Sequence, residues 1–149
     1  MTASNHVITG ALIGAVIGNP VAIPVAFLAH FALDALPHFG LDEHTDRKFL
    51  LVLSADAGLA SALLLVIAVL QPANWPLIFM CGIACASPDL MWFPRWVREI
   101  RGKKPKPLSL IARFHARIQW AERQRWWGVL CEVMWFSTMF VLLGRSLSP

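Results

Sequence analysis

Three long apolar stretches set the terms on which this chain can fold. Residues 49–70 are broken only by Ser54, Asp56 and Ser61; 75–92 holds Asp89 near its end; 126–143 encloses Glu132. About 20 such residues in a helix cross the ~30 Å hydrocarbon core of a bilayer. Two further apolar segments, 6–18 and 20–37, flank Asn19-Pro20, a turn signal. They read either as two short helices or as one kinked helix, and two is the favoured reading. The fold class expected is all-α: a polytopic membrane helix bundle with about five membrane helices, the first two short, in one domain over 1–149. Composition agrees, with 57% hydrophobic and 15% charged residues, where soluble domains carry about 25% charge.

Charge sets an orientation. Ten of the thirteen Lys and Arg lie between Arg95 and Arg125, and basic loops stay on the cytoplasmic side. Counting spans back from that loop puts the N-terminus inside and residues 146–149 outside. Trp75, Trp92, Trp96, Trp126 and Trp127 fall at segment ends, as in an interfacial aromatic belt. The net charge of +4 on this apolar background points to anionic lipid head groups rather than nucleic acid. Within the basic loop 93–125, residues 108–124 read as an amphipathic interfacial helix. Leu110, Ile111, Phe114, Ile118 and Trp120 supply its apolar side, and Arg113, Arg117, Arg123 and Arg125 its basic side. The first basic residue is Arg47, so no secretory signal is expected. Cys81, Cys85 and Cys131 lie in apolar segments, where disulfides are not expected. Gly10, Gly14 and Gly18 recur every fourth residue, a stripe on which another helix can pack closely.

The ionisable residues inside this apolar frame are the functional candidates. His30, Asp34 and His38 recur every four residues at the end of the second segment and so share a helix face. Successive steps of four rotate by about 40°, and Pro37 disfavours a helical Leu36. His30 and Asp34 are therefore the firmer pair, with His38 swinging back from a loop. With the orientation above, His6, Asp56, Asp89, His115 and Glu132 join them at one depth near the cytoplasmic face. Bundles build metal sites from separate helices in this way. His6, His30, Asp34, His38 and His115 are the metal-ligand candidates for a divalent ion, with zinc foremost. Asp56, Asp89 and Glu132 are candidates for further ligands or a general base. His44, among Asp42, Glu43 and Asp46, reads as part of a solvated loop.

These residues also carry a resemblance. Asn5-His6, then Phe27-Leu-Ala-His30-Phe-Ala-Leu-Asp34-Ala-Leu-Pro-His38, then Ser87-Pro88-Asp89 and Phe114-His115 resemble a family of small bacterial inner-membrane proteins described as metal-dependent hydrolases. Its best-known relative is under the DNA-damage regulon. The family pattern has an early His, a Pro-Asp followed by a further Asp-His, and a His-rich helix start. His6 and Asp89 match it, and His115 stands for its later His. Leu90-Met91 replace the His expected after Pro88-Asp89. His30, Asp34 and His38, with the 117–122 stretch and Glu132, are similar to a subgroup.

The resemblance implies a membrane-bound metal-dependent hydrolase in the inner membrane. Its metal would lower the pKa of a water and polarise a phosphoryl or acyl oxygen. A phosphoester or lipid substrate fits the location and charge. The alternative is a non-catalytic membrane protein, with the same residues forming a structural metal site or an ion path, or a scaffold docking partners through 108–125. The chain carries no Gly-x-Ser-x-Gly, phosphate-binding glycine loop or His-Glu-x-x-His motif.

Overall fold

The computed structural model describes residues 1–40, 47–104, 106–121 and 125–147; His44 lies outside them. The described residues form α1 (Ala3–Ile17), α2 (Ala22–Asp34), α3 (Arg47–Leu70) and α4 (Trp75–Ala86), a 3-10 segment (Ser87–Trp92), then α5 (Phe93–Ile100), α6 (Leu110–Ile118) and α7 (Arg125–Leu147). The all-α expectation holds, with no strand among the described residues.

Three helical runs are long and apolar enough to cross a membrane: Arg47–Leu70, Trp75–Ile100 and Trp126–Leu147. The 15 residues of α1 and 13 of α2 rise only about 22 and 20 Å, less than the ~30 Å core. The outside of the bundle is the reverse of a soluble surface. Only Ala60 and Ile67 of α3 are buried, while Leu51, Leu65 and Val69 are 61%, 63% and 70% exposed. An apolar face of that extent is costly in water and at home in acyl chains. Composition and surface are both consistent with a membrane protein.

α1 sits at the centre, packed against α2, α3, α4 and α7. Its glycines make that possible. A Cβ at Gly10 would overlap the Cys81 carbonyl and the Cys85 side chain, and one at Gly14 would sit 2.9 Å from the Ile78 Cα. The stripe stops there. Gly18 faces open space and instead ends α1 in the left-handed region, φ +66°, its N–H donating to the Gly14 carbonyl at 3.0 Å. Asn19-Pro20 makes the expected turn, with the Asn19 side-chain oxygen accepting from the Val21 N–H at 3.0 Å. Segments 6–18 and 20–37 are thus two helices.

The 75–92 stretch does not end at Trp92. Pro88 removes a backbone donor, and Ser87 Oγ donates to the Ala84 carbonyl at 2.9 Å. The helix tightens into the 3-10 segment carrying Asp89, then continues as α5. The interfacial helix is shorter than expected and forms α6. Ser109 caps it, its Oγ accepting from the Ala112 N–H at 3.2 Å. Leu110, Ile111 and Phe114 point outward, while Ala112 and His115 are buried.

Candidate metal centre

The site begins at the first turn of α1. Helix N-termini leave N–H groups without intrahelical partners, and here a different helix satisfies them. Asp56 of α3 accepts from the Ala3 N–H at 2.6 Å, the Ser4 N–H at 3.0 Å and the Ser4 hydroxyl at 2.5 Å. The carboxylate predicted as a ligand or base is therefore spent on capping α1. Glu132 does similar work from α7. It accepts from the Phe39 N–H at 3.1 Å and the Asn5 side-chain amide at 3.4 Å, joining α7, α1 and the chain after α2. Both acids meet the first turn of α1, but neither enters the cluster of potential ligands.

His38 departs as well. α2 ends at Asp34, and the backbone beyond it lies so close to α7 that a Cβ at Gly128 would overlap the His38 carbonyl carbon at 2.5 Å. The His38 Nδ1 donates to the Leu36 carbonyl at 2.8 Å, which pins the ring to its own loop. Pro37 ends the helix, and the four-residue step no longer carries the ring onto the Asp34 face.

The remaining candidates converge. His30, Asp34, Asp89 and His115 each offer a ligand atom within 4.8 Å of the others', from α2, the 3-10 segment and α6. The His115 Nε2 lies 2.6 Å from Asp34 Oδ2, and the His30 Nε2 3.2 Å from the same oxygen. The two Nε2 atoms are 3.0 Å apart. His6 stacks on His30, with ring centroids 4.1 Å apart, and its Nε2 lies 3.1 Å from Asp34 Oδ1. Asp89 closes the ring at 3.6 Å from His30, 3.8 Å from His115 and 3.9 Å from His6. Two further groups reach Asp34: the Met1 amino group at 2.5 Å and the Gln119 side-chain amide at 3.0 Å.

The outer contacts of these rings orient the donor atoms. The His30 Nδ1 lies 2.8 Å from the Cys85 carbonyl, which can only accept, so Nδ1 carries the proton. The ring's Nε2 is directed at an Asp34 oxygen 3.2 Å away and at the His115 Nε2 3.0 Å away. Imidazole nitrogens and carboxylate oxygens thus converge on one point, the donor set that suits a divalent ion. A backbone carbonyl holding the far nitrogen of a metal-binding imidazole is the usual orienting contact. Ligands about 2.0–2.1 Å from a tetrahedral ion lie about 3.3 Å from one another, and the separations here run from 2.6 to 3.9 Å on either side of that value. His6 and His115 also have Nδ1 atoms that are buried without a partner among the described residues.

The cluster is dry on most sides. His6, His30, Asp34 and His115 are fully buried, and Phe31 sets its edge against His30 and His115. The Asp89 side chain is 35% exposed and forms the edge reachable from outside. Gln119 escaped the sequence reading, although its position four residues after His115 is the same signal that singled out His30 and Asp34. The Cys85 carbonyl, a backbone group, carries no sequence signal at all. Comparison with family models, curated proteins and solved structures gives no match.

Proposed function

We propose that this chain is a membrane-bound metal-dependent hydrolase that acts on a phosphoester or lipid substrate at the cytoplasmic face of a bacterial inner membrane. The observation that supports the metal is the convergence of the His6, His30 and His115 Nε2 atoms on the Asp34 and Asp89 carboxylates, with the His30 ring oriented by the Cys85 carbonyl. His30, His115, His6 and Asp34 would hold the ion, and two nitrogens or more with a carboxylate suit zinc. When bound, the ion supplies Lewis acidity to a substrate oxygen. Asp89 has the longest separations from the imidazoles and the exposed edge, so it is the group placed to accept a proton from an attacking nucleophile. Gln119 braces Asp34. The resemblance to membrane-bound hydrolases supports the same reading, and the ten basic residues of the 95–125 stretch support the cytoplasmic orientation.

One observation favours a second reading, a structural metal site. Four of the five cluster residues have no exposure, and structural sites are closed. Hydrolysis assays over a panel of phospholipids and soluble phosphoesters separate the two. A catalytic site predicts metal-dependent turnover that Asp89→Asn lowers by about 100-fold or more with metal content kept. Bound metal with no turnover on any substrate would leave the structural site.

A further inference from the structure

Beside the metal cluster lies a second cleft, of about 170 Å³, between α5 and α6. Arg95 and Arg98 of α5 line it, with Lys106 from the connecting segment, Trp92 on one wall and Ser109 and Ala112 on the other. Its charged lining residues are all basic. Arg95 pairs with Glu99 at 3.1 Å. No carboxylate among the described residues lies within ion-pair distance of Arg98 or Lys106. The Arg98 guanidinium donates to the Lys104 carbonyl at 3.1 and 3.3 Å, and Arg95 to the Lys106 carbonyl at 3.4 Å. These bonds tie the Lys104 and Lys106 carbonyls to the two α5 guanidinium groups. The N-terminus of α6, a nine-residue helix, opens at Ser109 and adds its positive end.

We propose that this cleft binds a phosphate group. The Arg98 guanidinium, which pairs with no described carboxylate, stands there beside Arg95, Lys106 and a helix N-terminus, and guanidinium groups give the planar, multi-donor recognition that phosphate oxygens take. The cleft is tied to the metal cluster by two of its own residues. Ala112 is one turn, about 4.5 Å, before His115 on α6, and the Trp92 ring centroid is 5.7 Å from that of His115. A phosphate held there presents the rest of its molecule to the Asp89 edge. Resting on the hydrolase reading, the cleft narrows the substrate class to one bearing a phosphate.

Calorimetric titration of inorganic phosphate into detergent-purified, chelator-stripped full chain at low ionic strength tests the cleft without a metal to take up the anion. The double substitution Arg98→Gln/Lys106→Gln is expected to weaken binding about tenfold or more. Arg101→Gln/Lys103→Gln removes the same charge from outside the cleft and is expected to change binding less than about twofold. Equal far-UV circular dichroism shows that both variants keep the bundle. Competition by short-chain phosphatidic acid, but not phosphatidylcholine, assigns the phosphate to a lipid head group; competition by soluble phosphomonoesters alone assigns it to a water-soluble substrate. Either result supports the cleft. No phosphate binding by the wild type, or equal weakening in the two double variants, overturns it. Metal content measured on unstripped samples keeps the two proposals apart: phosphate binding without metal defeats only the hydrolase, and metal without phosphate binding defeats only the cleft.

Discussion

Replacing Asp56 with alanine separates a structural carboxylate from a site carboxylate. Its two oxygens take the Ala3 and Ser4 N–H groups and the Ser4 hydroxyl, and the N-cap residue Thr2 makes no side-chain capping bond of its own. Loss of an ordinary cap costs about 0.5–2 kcal/mol, and each hydrogen bond to a charged group contributes about 1.5–3 kcal/mol. The simple sum of three is an upper bound, because Asp56 is only half-buried and water can reach part of the freed surface. A loss of about 2–4 kcal/mol follows, which for a chain of this size is a fall in Tm of roughly 5–15 °C. Thermal melts of the detergent-purified protein by circular dichroism measure it. Asp56→Asn keeps one acceptor and should fall between wild type and Asp56→Ala, with metal content unchanged at low temperature. A Tm for Asp56→Ala within about 2 °C of wild type would refute the capping role. So would an Asp56→Asn protein that melts normally but holds no metal, since Asp56 would then belong to the metal site.

Two further predictions concern what supports the cluster. Gly10→Val drives a side chain into the Cys81 carbonyl, and should cost about 1–3 kcal/mol and lower metal retention by shifting the Cys85 carbonyl that holds His30. Gly18→Ala should cost only about 1 kcal/mol and leave metal binding intact, because Gly18 has nothing within 4 Å; equal metal loss in the two variants would contradict this. Gln119→Ala should reduce metal affinity about 10- to 100-fold in a competition titration with a chromophoric chelator, and unchanged affinity would remove Gln119 from the site.

What could be read from the sequence followed from local physics. Span positions depend on runs of side chains and were legible, as was the convergence of His6, His30, Asp34, Asp89 and His115 from separate helices. Direction around each helix was not. Asp56 and Glu132 do lie level with the first turn of α1, yet packing aims them at Ala3, Ser4, Asn5 and Phe39 instead of at the imidazoles. Asp89 reaches the cluster because Pro88 tightens the chain into a 3-10 segment and resets its angular position, which helical spacing does not predict. His38 shows the opposite effect of a proline: Pro37 ends α2, and the ring bonds to Leu36. The short α1 and α2 were legible as helices, but the close approach that makes α1 the centre of the bundle depends on what faces Gly10 and Gly14.

The claim that this cluster is a metal centre stands or falls on metal content. Elemental analysis of the detergent-purified wild type should find about one divalent ion per chain. His30→Ala and Asp34→Ala should reduce that to background, while His38→Ala keeps it. A wild-type protein free of metal after purification without chelators and after incubation with zinc would contradict the account.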